Sequence, residues 1–299
     1  MKTKPAPVSG MTLIEADRLI RQSSFAVIDP TVIPAHLREG LDLQAIVPEP
    51  FEEQVGLFPA LIDLNDLNDA QHAKLAENVV AWEQVASTPY FSALLVTNCP
   101  ATQVITHLAR RMTLMLPDGR LDVLRYHDPQ VFRHLRWMLE AHQIDSLLGP
   151  LEGWGWREPS GQWYMHTRLL AHASVPPLLI SALQWPMLSK IVDINMVLVE
   201  IKRKAPHIED NAVIAEQIHR LLTQARETHG LTQREDRRLF AIHAAVFHSR
   251  IHEHPLMLER LARCRDAGLR YEEACVDLDS AALSDMRRDL EHLSTGAFR

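Results

Sequence analysis

Histidines offer the chain its clearest potential for metal chemistry, since it contains sixteen of them. The densest group is His248, His252 and His254, with His243 nearby. If this stretch is helical, His248 and His252 share one face, because they are four residues apart, and could present two ligands to zinc. The glutamate that zinc proteases carry between the two histidines is absent, and Arg250 inside the interval would repel a dication. We therefore favour solvated or core-edge histidines near the end of a helix.

Nucleophilic and acid–base catalysis find little support in the sequence. No serine lies in a Gly-x-Ser-x-Gly motif, and a chain with only 11 glycines carries no phosphate-binding loop or dinucleotide fingerprint. Cys99 precedes Pro100 at the end of a predicted strand, but no histidine can be placed beside it, so a buried thiol is expected. Asp118 and Asp122 flank a predicted turn and are expected to stabilise it. The sequence therefore predicts no enzyme, no catalytic residue, no cofactor, no metal site and no small-molecule substrate.

Charge and hydropathy exclude two classes of partner. Residues 1–165 carry 13 basic and 20 acidic side chains, hence 13 − 20 = −7, and residues 166–299 carry 18 of each, hence 0. Nucleic-acid binders usually show a strong cationic surface instead. No apolar run approaches the ~20 residues that cross a bilayer, and no apolar segment follows the lysines near the N-terminus. With three cysteines in no metal-ligand spacing, a cytoplasmic protein with reduced thiols is expected.

The elements that would position any site fall into an α+β half followed by an all-α half. Residues 1–10 are expected to be a disordered lead, and residues 11–166 a mixed α/β domain with a small β-sheet and flanking helices. Short apolar runs predict buried strands, and helical periodicity predicts the helices between them. The predicted strands are 25–28, 60–64 and 91–96, and the predicted helices are 12–21, 70–84 and 101–111.

A hairpin and a capped helix are predicted next. Two extended runs within residues 114–126 are joined by a Pro-Asp-Gly turn at residues 117–119. Asp128 can then accept hydrogen bonds as a helix N-cap, and Pro129 suits the first helical turn. The helix is predicted over residues 130–141.

Tryptophans concentrate after this helix, with four of the six between residues 137 and 163. Trp154 and Trp156 follow Gly149-Pro150, which is expected to end a helix. On an extended strand the two rings share a face, because they are two residues apart. That face either packs inside the protein or contacts another protein, where aromatic hot spots are enriched. We favour packing, and keep Trp154 and Trp156 as candidate partner contacts.

Residues 167–299 are predicted to be an all-α domain that begins with a transition at Pro176-Pro177. The predicted helices are 187–204, 209–229, 232–250, 256–267 and 283–293. Thr232 and Glu235 predict a capping box, and Gly230 and Gly268 predict helix ends.

The first half of the chain resembles the bacterial type VI secretion effector chaperones, a family catalogued as a domain of unknown function. That family carries a strand with the pattern Arg-Phe/Tyr-x-Asp-Pro-Arg-Val, then a helix, Phe/Leu-Gly-Pro and an aromatic strand. The matching positions here are Arg125, Tyr126, Asp128, Pro129, Gly149 and Pro150. Gln130 departs from the pattern, because an arginine is common at that position. With the upstream strands and turn, the resemblance covers about residues 25–163.

The resemblance implies an adaptor that binds a protein effector, usually a toxin, in the cytoplasm and promotes its loading onto the VgrG spike protein. It implies that the α/β domain grips the effector or the spike and that the helical domain helps to select the effector. The motif residues also have a structural interpretation, an Arg–Asp pair and a helix cap that hold the domain together. Two alternatives stay open: an immunity-type protein that binds and neutralises a toxin and, less favoured, a histidine-dependent metalloenzyme.

Overall fold

A computed structural model of the protein describes residues 13–168 and 177–296. The chain forms two compact units, the first ending at Ile180 and the second beginning at Ser181. The predicted disordered lead and the Pro176 end of the predicted transition lie outside the described residues. None of the described helices is both long and apolar enough to cross a membrane.

The first unit is built on a six-stranded, fully antiparallel sheet. The strand order is β2-β3-β1-β4-β7-β8, so β1 lies between two strands that follow it in the chain. The strands are β1 (Phe25–Ile28), β2 (Gln44–Ala45), β3 (Ala60–Asp63), β4 (Ala93–Val96), β7 (Gly153–Arg157) and β8 (Trp163–Thr167). Every residue of β1 is buried, as its uninterrupted apolar run predicts.

Helices cover both faces of this sheet. On one face, Ala26, Ile62 and Leu94 of neighbouring strands pack with side chains of α1 (Leu13–Arg21) and α2 (Asp69–Val85) in a continuous apolar core. The opposite face carries Trp154 of β7, against which Phe132 of α4 (Pro129–Met138) stacks at 5.2 Å between ring centroids. The sheet is therefore buried on two sides, which explains its apolar strands.

The predicted hairpin is confirmed. Strands β5 (Thr113–Met115) and β6 (Leu121–Val123) pair in antiparallel register after α3 (Ala101–Met112). The turn is closed at Gly119, whose φ of +83° favours a residue without a Cβ. The helix predicted over residues 130–141 is shorter, because Leu139 leaves the helical conformation, and α5 (Ala141–Leu148) begins after a separate cap at Glu140.

The second unit contains only helices among its described residues, which confirms the predicted fold class of an α+β half followed by an all-α half. They are α6 (Trp185–Leu188), α7 (Ile191–Lys204), α8 (Ala212–Glu227), α9 (Arg234–Val246), α10 (Pro255–Ala267), α11 (Tyr271–Ala274) and α12 (Ser280–Gly296), with a short 3₁₀ helix at Ile251–Glu253. Gly268 ends α10 in the left-handed conformation, as predicted. The prediction of a Thr232–Glu235 capping box is wrong, since α9 starts after Gln233 without a side-chain cap.

Candidate functional site

The motif segment, Arg125 to Pro129, follows β6 and reaches the start of α4. It lies at one end of the central strands of the sheet. Because β1 and β4 are antiparallel, with Val27 opposite Ala93, the end of β1 and the start of β4 meet there. The loop after β1 contributes Asp29, the loop before β4 contributes Ser92, and the motif contributes Arg125, His127, Asp128 and Pro129. Three separate parts of the chain therefore form one site.

Arg125 forms an ion pair with Asp29. Its Nη2 donates to Asp29 Oδ2 at 2.9 Å, across 96 positions of sequence. The other carboxylate oxygen of Asp29 accepts from the backbone N–H and the hydroxyl of Thr31, at 2.9 and 2.6 Å. The carboxylate is thus held in place, while the Arg125 side chain remains 47% exposed. The pair ties the loop after β1 to the start of α4.

Asp128 caps α4, as predicted from the sequence. Its Oδ1 accepts from the backbone N–H of Gln130 at 2.8 Å, and Pro129 occupies the first turn. Asp128 as a whole is partly buried. Burial raises the pKa of Asp128, and the neighbouring Asp29 carboxylate raises it further, against the opposing effects of the Gln130 N–H and Arg125. Asp128 therefore carries a charge that the protein compensates only in part.

His127 lies between these groups in the motif and is buried, with 3% of its surface exposed. Neither ring nitrogen has a hydrogen-bond partner within the described residues. Burial, followed by the charge of Arg125, lowers the pKa of His127 to about 3. The ring is therefore neutral at physiological pH, with one donor and one acceptor nitrogen left unused.

A cavity of about 160 Å³ opens beside these residues. Its polar wall is formed by Asp29, Thr88, Ser92, Arg125, His127, Asp128 and Gln130. The remaining wall is largely apolar and includes Val32, Ile33, Pro89, Tyr90 and Pro129. The arrangement can receive a small polar group attached to an apolar stem.

The two tryptophans proposed as partner contacts are buried. Trp154 is 0% and Trp156 1% exposed, and the ring of Phe132 lies 5.2 Å from both. Tyr126 is also buried and packs 5.5 Å from Trp154. The rings share a face as predicted, but α4 covers that face. The partner-contact prediction for Trp154 and Trp156 is corrected accordingly: their side chains form core, which is the alternative that the sequence favoured.

Gly149 and Pro150 form the predicted break after α5. Gly149 has a φ of +57°, and a Cβ placed on it would overlap the His107 ring. The Pro150 carbonyl accepts from the Thr97 hydroxyl at 3.1 Å. These two residues therefore join α5 to the sheet and lie outside the cavity.

The histidine group near residue 250 does not have the geometry required for zinc. Helix α9 ends at Val246, so His248 and His252 do not share a helix face. His252 is buried and bonds the Phe240 carbonyl at 3.0 Å, while His254 caps α10. No group of three or more His, Cys, Asp or Glu side chains able to hold a metal ion occurs in the described parts of the chain.

Sequence reasoning missed Asp29 and His127 as members of the site. Asp29 follows the predicted strand 25–28, and nothing in the local sequence indicates its partner Arg125, 96 residues away. His127 stands inside the motif, between two residues that the resemblance singled out. That position was the available signal.

Four of the six motif positions fall inside a stretch that is similar to a known family, although no curated protein and no solved structure is significantly similar to the chain. Gly149, Pro150, Trp154 and Trp156 lie beyond the matched stretch. The cavity and the motif residues Arg125, Tyr126, Asp128 and Pro129 lie within it. A family model described as a domain of unknown function (DUF4123) matches residues 25–146.

Proposed function

We propose that the protein is a cytoplasmic, non-catalytic adaptor that binds a type VI secretion effector and promotes its loading onto the VgrG spike. The observation that carries the proposal is the family match over residues 25–146, since this family is associated with such adaptors. The match includes strands β1 to β4 and the whole wall of the cavity beside Asp29 and Asp128. The part of the chain that resembles the adaptors thus contains a surface suited to binding.

A second surface suited to protein binding supports the proposal. Helix α7 buries one face, yet Val192, Met196 and Val199 on its other face are 59%, 50% and 65% exposed. These residues follow the i, i+4, i+7 spacing of a single helix face. Exposed apolar groups arranged contiguously are a mark of protein interaction sites. We assign this stripe to effector binding by the helical unit.

Co-purification tests the proposal. The tagged full-length protein is expressed with each protein encoded beside it, and the complexes are isolated at physiological salt. A stable stoichiometric complex with a toxin, joined by a VgrG protein when all three are present, is the expected result. Failure to capture any neighbouring toxin or spike protein would contradict the adaptor function.

Deletion of the gene separates an adaptor from an immunity protein. Loss of an adaptor abolishes secretion of the effector and leaves the producing cell healthy. Loss of an immunity protein instead makes the cell sensitive to its own toxin while secretion continues. The second outcome would overturn the proposal.

A further inference from the structure

The cavity beside Asp29 and Asp128 has room for one amino-acid side chain. Its volume is about 160 Å³, and a cavity of roughly 150 Å³ is enough to hold a benzene molecule of six heavy atoms. Val32, Ile33 and Pro129 line it on the apolar side. Such a wall suits the methylene stem of a long side chain, which keeps its polar end at the carboxylates.

The charges that line the cavity favour a cation. Asp29 and Asp128 contribute −2 and Arg125 contributes +1, so the sum is −1. Arg125 is already engaged by Asp29, whereas Asp128 is bonded through Oδ1 to the Gln130 backbone N–H. A partly buried carboxylate without full charge compensation is costly, and a cation that pairs with it lowers the cost.

His127 gives independent support for a binding site at this position. A buried polar side chain without a partner is uncommon in folded proteins and calls for an explanation. His127 is such a side chain among the residues that the structure describes, and it forms part of the cavity wall. The neutral ring has one acceptor nitrogen to offer to the donors of a cationic group.

We propose that this cavity binds a single lysine or arginine side chain of the effector, with Asp128 and Asp29 accepting hydrogen bonds from its ammonium or guanidinium group. The identity of the partner rests on the proposed function, whereas the preference for a cation rests on the cavity alone. Arginine has the planar donor geometry that matches carboxylates.

A titration with small molecules tests the cavity without any effector. Propylguanidinium and butylammonium, analogues of the two side chains, are added to the isotope-labelled full-length protein, and backbone amide shifts are followed by NMR. The expected result is saturable shifts confined to the three segments that line the cavity, Asp29–Ile33, Thr88–Ser92 and Arg125–Gln130. Butylurea, which is neutral, and acetate should produce none. Equal binding of butylurea, or binding of acetate alone, would overturn the proposal.

The variant Asp128→Asn isolates the charge. Asparagine is also a good N-cap, so α4 keeps its first turn while the carboxylate is lost. We expect about tenfold weaker binding of propylguanidinium and of the effector, as for loss of one charged hydrogen bond. Asp122→Asn is the matched control, because Asp122 is exposed in the same segment and does not line the cavity. Unchanged binding by Asp128→Asn, with an unchanged melting temperature, would overturn the proposal.

The adaptor function and the side-chain contact in the cavity can be contradicted separately. An effector that binds Asp128→Asn as tightly as the wild type contradicts the assigned side-chain contact and leaves the adaptor function intact. Failure to capture any effector contradicts the adaptor function, and the propylguanidinium titration then still decides whether the cavity takes a cation.

Discussion

Gly149 is constrained by its backbone and by its neighbour at the same time. Its φ is +57°, and a Cβ would overlap the ring of His107, which is itself held by a 2.8 Å hydrogen bond to the Leu147 carbonyl. Its ψ of −113° places it outside the left-handed helical region, so Gly149→Ala combines a conformational cost of about 1–3 kcal/mol with an overpacking cost of about 1–3 kcal/mol. We expect the free energy of unfolding to fall by about 3 kcal/mol, measured by urea unfolding of the full-length protein.

Gly119→Ala is the matched control for this substitution. Gly119 also has a positive φ, of +83°, but no heavy atom lies within 4 Å of the position that a Cβ would take. Only the conformational cost of about 1–2 kcal/mol should remain. If both variants lose the same stability, contact with His107 is not the reason that position 149 requires glycine.

Buried histidines make the stability of the protein depend on pH. Burial lowers the pKa of His252 to about 3, while an unfolded histidine titrates near 6.5. Only the unfolded chain takes up this proton between these values, so the stabilisation is complete above pH 6.5 and is lost as the pH falls towards 3. At pH 5 the loss is about 2 kcal/mol for His252 alone. His252→Gln should therefore lose about 2 kcal/mol less than the wild type between pH 7.5 and pH 5, measured by urea unfolding.

The same experiment on His36→Gln provides the control. His36 is exposed, so its replacement should leave the pH dependence of unfolding as in the wild type. A slope that does not change in His252→Gln would show that this ring is protonated in the folded protein. His107 and His243 are further buried rings whose pKa burial lowers, each to about 4, so the wild type should also lose stability in this range through them.

At the scale of elements, α7 and α9 are joined by a buried carboxylate. Asp193 of α7 accepts from Nε of Arg238 at 2.7 Å and from Nε of Arg234 at 3.2 Å, and its side chain is 6% exposed. Removing one partner of a buried pair leaves an uncompensated charge, which costs about 3–5 kcal/mol. Asp193→Asn should reduce the free energy of unfolding by about 3 kcal/mol, since the amide retains one acceptor.

A surface pair on the same helix gives the comparison. Glu200 and Arg203 lie on α7 at 2.7 Å with 38% and 65% of their side chains exposed, and exposed pairs contribute about 0–1 kcal/mol. Glu200→Gln should therefore be nearly neutral. The double variant Asp193→Leu, Arg238→Leu should recover much of the loss, because no charge is then buried alone. A similar loss in Asp193→Asn and Glu200→Gln would contradict this account of α7 and α9.

Elements set by local signals were predictable from the sequence. The cap of α4 depends on Asp128 and on an N–H only two residues away, and the hairpin turn depends on Gly119 and its neighbours. The position of β1 between β3 and β4 depends on pairing with residues about 35 and 70 positions along the chain. Such pairing leaves no local pattern, so strand order could not be predicted. Strand β2 has only two residues, too few for a periodic signal.

The candidate site also combines features that depend on local sequence with features that depend on distant parts of the chain. Its capping residue was predicted, because capping is local. An Arg–Asp pair within the motif was also predicted, but the structure pairs Arg125 with Asp29, which only the assembled sheet brings close. For Trp154 and Trp156, alternation along β7 predicts that they share a face. Which face is covered depends on where α4 packs, and that is a property of the whole unit.

At the scale of the whole molecule, each unit carries a different kind of surface. The first has the cavity beside Asp29 and Asp128, which suits one charged side chain, and the second has the apolar stripe on α7. A polar cavity gives selectivity, because a wrong partner leaves its charges unpaired. An apolar stripe gives affinity through burial and accepts many sequences. The proposed adaptor function requires both properties, because the effector must be selected and also held firmly.

Substitution of the α7 stripe tests this division of roles. Met196→Glu places a charge at the centre of the stripe, between Val192 and Val199. Because Met196 is 50% exposed, the charge remains hydrated in the free protein and the free energy of unfolding should change by less than about 0.5 kcal/mol. In the complex the charge would be buried without a partner, so the dissociation constant for the effector, measured by calorimetry, should rise at least about tenfold.

Val276→Glu is the control for this charge, because Val276 is 84% exposed in the same unit and lies outside α7. Its affinity for the effector should match the wild type. Combining Met196→Glu with Asp128→Asn should give additive losses, since the two substitutions lie in separate units. If the effector binds Met196→Glu as tightly as it binds Val276→Glu, helix α7 does not contact the effector. The affinity would then come from other surfaces of the chain.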